Sequence, residues 1–286
     1  MVRVSGIRVE MSDGSRTTPA ADTQPSGGGV VVIKIGGSTL EDIGRLSALW
    51  AGIVRMASGP GASGTVVVHG GGKAVDALLK RLEMPVERRN GLRVTPPEQM
   101  ELIAGVLAGA VNKRLVGAMN AAGGRAVGLC LGDGAMVACR RMSEELGRVG
   151  EVVGGDCGVV RTLLAGGYLP VVSSIGIDEA GELLNVNADD AAAGIAGAIG
   201  ARRLVLLTDV SGIKGADGAV RSRLTSAEVE AMIASGEITG GMIVKARSAV
   251  SASRSTGAAV VIVSGESPEP LMRLLAGETV GTTITA

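Results

Sequence analysis

Six short runs in this chain are apolar at nearly every position: VVVIKI (30–35), TVVVHG (65–70), 126–130, 169–174, 203–208 and 259–264. A strand with one face in water alternates apolar and polar residues, whereas a continuously apolar strand must be covered on both faces. Helical segments fit between the runs, at about 39–57, from the glycines at 70–72 to about 82, onward from 96, and at 187–200, 225–235, 241–256 and 268–276. Strands alternating with helices predict an α/β fold with a mainly parallel sheet. Helix starts are marked by Thr39 with Asp42, by Thr95-Pro96-Pro97-Glu98 as a capping box with proline at the first helical position, and by Thr225 with Glu228. The segments 86–94, 132–141 and 210–222 read as hairpins or loops set into that frame.

The 286 residues suffice for one large α/β domain or two lobes around a continuous core. Charge is balanced, 28 basic residues against 28 acidic, so no net field draws in nucleic acid or an anionic membrane. Trp50 and Tyr168 are the only aromatic residues, which leaves no platform for stacking bases. No apolar run has the roughly 18 residues a membrane helix needs. Cys130, Cys139 and Cys157 form neither a CxxC pair nor an even set, and read as small thiols in a reducing compartment. Residues 1–28 are rich in Ser, Thr, Gly, Pro and Asp, and are expected to be a mostly disordered extension. A cytoplasmic location is expected.

In a parallel sheet, ligands gather at the carboxyl ends of strands. Two glycine clusters fall there, Gly36-Gly37 and Gly70-Gly71-Gly72. Each could be no more than a tight strand-to-helix turn. Two together, one preceded by Lys34, favour an anion site, because glycine lets backbone amides approach a phosphate. GxGxxG from Gly70 would need a small residue where Val75 stands. GxxxxGK[ST] ending at Gly72-Lys73 would need glycine at Val67 and a hydroxyl at Ala74, so neither a Rossmann nor a Walker fingerprint is present. His69, the single histidine, has no partner at a catalytic or metal spacing and reads as a structural residue bonding the backbone beside the loop. Asp209 ends an apolar run, Lys245 lies on a helix after a Gly-rich turn, and Asn185, Asn187 and Asp189 open an Ala-rich helix. Each of these alone also fits plain capping or a solvated face.

In order, VIKIGGSTL (32–40), VVVHGGGKAVD (66–76), NGLRVT (90–95), VNKRLV (111–116), GLCLGDG (128–134), PVVSSIG (170–176), LLNVNADDAA (183–192), LLTDVSGI (206–213), ITGGMIVK (238–245) and VGTTI (280–284) resemble the amino-acid kinase family. Within it, NGLRVT, NVNAD and GGMIVK resemble the members that phosphorylate acetylglutamate. The resemblance implies an open αβα sandwich, with an N-lobe at about 29–185 for N-acetyl-L-glutamate and a C-lobe at about 186–286 for ATP and Mg2+. It implies that Lys34 and Lys245 stabilise the moving phosphoryl group and that Asp189 orients both. Gly71, Gly72, Arg93 and Asn185 would hold the acceptor. Gly36, Gly37, Asp209, Val210, Ser211, Gly212, Ile213, Lys214, Glu237, Ile238 and Thr239 would lie along the nucleotide.

That inventory suits a carboxylate acceptor, which is ionised at neutral pH (pKa about 4.3) and needs no base. The task is to bring an anion against a polyanion, which calls for cations and oriented amides. A related kinase acting on an aminoadipate derivative, glutamate or aspartate is the nearest alternative, and a non-catalytic amino-acid or nucleotide sensor the alternative of another class. Family members inhibited by arginine join dimers through an apolar N-terminal helix. Pro19 and Pro25 make residues 1–28 a poor one, so a homodimer insensitive to arginine is expected.

Overall fold

The computed structural model describes residues 29–58 and 64–286; the extension read at 1–28 lies outside them. In chain order the strands are β1 (Val31–Ile35), β2 (Thr65–His69), β3 (Arg88–Arg89), β4 (Leu92–Arg93), β5 (Ala126–Cys130), β6 (Val137–Arg141), β7 (Val149–Gly155), β8 (Leu169–Ser173), β9 (Ile175–Ile177), β10 (Leu183–Val186), β11 (Arg203–Thr208), β12 (Arg223–Thr225), β13 (Ala259–Ser264) and β14 (Thr282–Thr285). The helices are α1 (Ser47–Ser58), α2 (Gly72–Arg81), α3 (Pro97–Ala104), α4 (Asn112–Ala121), α5 (Gly158–Ala165), α6 (Ala188–Ile199), α7 (Ser226–Ala234), α8 (Gly241–Thr256) and α9 (Glu269–Leu275).

Eight strands form the main sheet in the order β12-β14-β13-β11-β1-β2-β8-β5. All its pairings are parallel except β13 with β14. The six continuously apolar runs supply six consecutive strands, from β13 through to the edge strand β5, and side chains from both faces are buried: Val32, Val66 and Leu204 in one core cluster, Ile33, Val67 and Val205 in another. The first cluster also takes in Ala191, Ile195 and Val250, so one core crosses position 185. Because β1 pairs with β2 on one flank and β11 on the other, the sheet reverses its winding at β1, the place where such sheets open a ligand crevice.

A second sheet, β6-β7-β10-β9, lies outside that frame. It was not legible in the sequence beyond a polar insertion at 132–141. β7 and β9 contain glycine, β6 is part of the polar insertion, and Leu183–Val186 looks like a helix lead-in. β3 and β4 form the hairpin expected at 86–94.

Helix starts differ in two places. Thr39 caps no helix: 3-10 turns fill 37–40 and 43–46, α1 begins at Ser47, and the Thr39 hydroxyl donates to the Gly265 carbonyl (3.1 Å). No capping box forms at Thr95 either. Pro96 occupies the cap, and the Thr95 hydroxyl donates instead to the Arg93 carbonyl (2.9 Å). The Thr225–Glu228 box is present, and Asn187 caps α6 by accepting from the amides of Asp189 (2.8 Å) and Asp190 (3.4 Å).

Residues 97–121 form one continuous helix in which a π turn, Gly105–Val111, joins α3 to α4. By length and composition it could cross a membrane. Here Met100, Ile103, Leu107, Val111, Leu115 and Met119 are buried in the core, and so is the polar Asn112.

Candidate active site

β1 carries Lys34 to the carboxyl edge of the sheet, level with Val68 of β2 and Leu206 of β11. Its ammonium meets the Asp189 carboxylate at 2.9 Å. Asp189 is in the first turn of α6, where the Asn187 cap fixes the backbone and the helix dipole favours negative charge. A Cβ at Gly36 would lie 2.7 Å from Lys34 Nζ, so the ammonium occupies the space a side chain would need.

On the β2 flank, Gly70, Gly71 and Gly72 line a cavity of about 150 Å³ together with Arg88, Arg93 and Asn185. Gly71 has φ 152°, and a Cβ there would come within 2.8 Å of Leu107, so only glycine fits without strain. Arg93 reaches this cavity from the β3–β4 hairpin. The two-residue turn at Asn90 (φ 51°) and Gly91 (φ 83°) explains the NG of NGLRVT, since both positions need left-handed backbone. The Arg93 guanidinium is buried. It donates through Nη2 to the Gly72 carbonyl (3.0 Å) and holds Asp76 through Nη1 (2.6 Å). Asp76 also takes Arg88 at 2.9 Å. Burial alone would raise the Asp76 carboxyl, but the two guanidiniums outweigh it and hold the group below the usual range. Asn185 donates to the Thr95 hydroxyl (3.0 Å), which donates to the Arg93 carbonyl, so NGLRVT and NVNAD are tied by consecutive hydrogen bonds.

On the β11 flank, Lys245 of α8 pairs with Asp209. This departs from the expectation that Asp189 orients both lysines: Asp189 holds Lys34, and Asp209 holds Lys245. The Lys245 bond, then the Thr208 hydroxyl (2.8 Å), keep the Asp209 carboxyl below the ordinary range. Val210 to Lys214 continue from there. Gly212 has φ 145°, and Ile213 is buried with its amide donating to the Thr282 hydroxyl oxygen (2.8 Å), so β14 braces this loop. Glu237 accepts from the Ala216 amide (3.2 Å), while Ile238 is buried and Thr239 exposed just ahead of α8. Gly37 opens the 3-10 turn after β1.

The structure therefore gathers Arg93, Asn185, Gly71 and Gly72 at one cavity, Lys34 and Asp189 at the end of the central strand, and Asp209 with Lys245 on its other side. Sequence reasoning missed Asp76 and Arg88. A charged residue on α2 or a hairpin reads as surface, and only the folded arrangement puts Asp76 between two arginines. His69 is buried and its pKa is lowered to about 4, chiefly by burial and further by Lys113, with the Gly70 bond opposing. Burial pushes the thiols of Cys139 and Cys157 up to about 11, and all three cysteines are free.

Residues 29–264 match the model of the amino acid kinase family. The chain is 44% identical over 260 residues to acetylglutamate kinase of Vibrio vulnificus strain CMCP6, covering 91% of this chain and 98% of that one. It is also 44% identical over 256 residues to acetylglutamate kinase of Pectobacterium atrosepticum, covering 90% and 99%. Among solved structures, smu.665 from Streptococcus mutans UA159 superposes with a TM-score of 0.71 at 31% identity, covering 90% of this chain and 98% of that one. The match runs from β1 through β13, and the paired lysines and glycine turns all fall inside it; the chain belongs to the amino acid kinase family.

Proposed function

We propose that this chain transfers the γ-phosphoryl group of ATP to the side-chain carboxylate of N-acetyl-L-glutamate in the cytoplasm, giving N-acetyl-L-glutamyl 5-phosphate and ADP, an early step of arginine biosynthesis. The observation that carries this reading is the Lys34–Asp189 pair at the end of β1, set between a cation-lined cavity and the Asp209–Lys245 pair. The 44% identity to acetylglutamate kinases supports it.

An acceptor carboxylate oxygen would attack the γ-phosphorus as the bond to the β-phosphate oxygen breaks, and that electron pair would leave with ADP. No proton moves, so the neutral His69 need do no acid–base work. Lys34, aimed by Asp189, and Lys245, aimed by Asp209, would offset charge on the transferring group. Arg93 and Asn185 would orient the acceptor, with Gly71 and Gly72 offering amides. Asp76 keeps the Arg93 fork in place, and Arg88 adds a second cation at the rim.

Among the described residues, no group of three or more His, Cys, Asp or Glu side chains could hold a metal. Mg2+ would ride on the nucleotide, bound by phosphate oxygens and water, which suits an ion that keeps its waters. Bound there, it would neutralise phosphate charge.

A hydroxamate assay tests the reading, because hydroxylamine traps acyl phosphates. With ATP and magnesium, acetylglutamate is expected to give hydroxamate well above glutamate or aspartate. Turnover confined to glutamate or aspartate would sink the assignment, and nucleotide binding without any turnover would favour a sensor. A homodimer is part of the proposal, and light scattering at a hexamer's mass would argue against it.

A further inference from the structure

Behind the glycine loop runs a polar chain built on the buried His69 and Asn112. His69 ends β2, and its Nδ1 lies 2.8 Å from the Gly70 carbonyl oxygen. Its Nε2 lies 3.0 Å from Nδ2 of Asn112, the fully buried first residue of α4. The same Nδ2 donates to the Val171 carbonyl of β8 (2.9 Å), and Asn112 Oδ1 accepts from the Lys113 ammonium (3.2 Å).

These partners assign every proton. A carbonyl only accepts and an ammonium only donates. Val171 therefore requires the NH2 side of the Asn112 amide, and Lys113 requires its oxygen. The NH2 then faces a bare Nε2, and the Gly70 carbonyl takes the proton on Nδ1. The imidazole is neutral, with its hydrogen on Nδ1.

We propose that His69, held by Asn112, is a positioning residue for the reaction above: it fixes the Gly70 carbonyl inward and so turns the Gly71 amide toward the cleft. In a trans peptide the C=O and the following N–H point in opposite directions within one plane, and among the described residues no peptide is cis. The Gly71 amide has no acceptor among the described residues. Glycine imposes little preference of its own, so the plane has to be set from outside. Side chains of the π turn fill the space beside the loop, since a Cβ at Gly71 would meet Leu107 at 2.8 Å and Val111 at 3.3 Å. A donor already fixed in direction costs no reorganisation when charge develops.

His69 is the sole histidine, so long-range 15N correlation spectra of the labelled full chain carry one imidazole pattern. The expected pattern is a protonated Nδ1 and a bare Nε2; protonation at Nε2 overturns the proposal. His69→Leu, which removes the donor, is expected to lower kcat at least about tenfold while KM for ATP and acetylglutamate stays within about threefold. His69→Asn, which can donate to the same carbonyl, is expected to recover most of that loss. Equal impairment in both folded variants, or normal kcat in His69→Leu, overturns positioning. Should His69→Leu fail to fold, Asn112→Ala frees Nε2, and a mixed tautomer with reduced kcat is expected; an unchanged tautomer and kcat count against the role. The proposal rests on the kinase reading, whose own failure looks different: no turnover in the wild-type chain with the Nδ1 pattern intact.

Discussion

Lys34 and Gly36 behave as one unit, because the ammonium lies where a Cβ at position 36 would go. Gly36→Ala should leave the fold intact, since the far end of a lysine can move, yet displace the charge. A kcat loss of about tenfold or more is expected in the hydroxamate assay, with an unchanged circular dichroism spectrum. Lys34→Ala or Lys245→Ala removes the charge outright and should cost about 10²–10³ in kcat. Near-normal turnover in either would refute their roles. Arg93→Lys keeps the charge but loses the planar fork that spans Asp76 and the Gly72 carbonyl. Its KM for the acceptor should rise about tenfold or more, with KM for ATP nearly unchanged. At this scale Lys34 stands out in the sequence because it precedes a glycine turn at a strand end, whereas Lys245 and Arg93 were picked out only through the family resemblance. Asp76 and Asn112 carry no such mark: their importance comes from which side chains the fold places opposite them.

Gly128 shows how one element makes room for another. A Cβ on this β5 residue would fall 2.0 Å from Asn112 Oδ1 and 2.6 Å from Lys113 Nζ. The Asn112 amide is fully buried and bonded on both ends, so it cannot swing aside cheaply. Gly128→Ala is expected to destabilise the chain by about 1–3 kcal/mol, the usual cost of overpacking, measured as a lower urea midpoint. A midpoint at or above that of the wild type would show that the helix yields. The inner strands could be read from the sequence because burial on both faces leaves an unbroken apolar run. The π turn could not, since Gly105–Val111 holds only apolar residues and glycine, so no polar face marks the change of period there. The Thr95 box misled because that hydroxyl is engaged by Arg93 and Asn185 across the site, a long-range demand that overrides local capping.

For the whole molecule, the buried imidazole sets an acid limit. The folded chain keeps His69 neutral to about pH 4, whereas an unfolded chain takes a proton near the ordinary 6.5. Unfolding therefore binds a proton between those values, and stability falls as pH drops through that window, by up to about 1.4 kcal/mol per pH unit from this group. Asp190 acts with the opposite sign, its carboxyl pushed up by burial and by Asp189 and Glu151. The difference between wild type and His69→Asn isolates the imidazole. Urea unfolding at pH 7, 6 and 5 should show a shallower decline in the variant, and parallel declines would contradict the assignment. The parallel sheet was legible as a class, but its order was not, because nothing local in β1 says that its second neighbour is β11.

That neighbour has a consequence for how the chain reaches its native state. Val31 pairs with Arg203, so one side of the central strand stays open until the chain through β11 has been made and docked. Until then β1 offers bare amides and carbonyls beside a flat apolar surface, the kind of edge that joins other chains. Renaturation from denaturant should accordingly give falling yields as protein concentration rises, with the losses incurred before the seam at β1 closes.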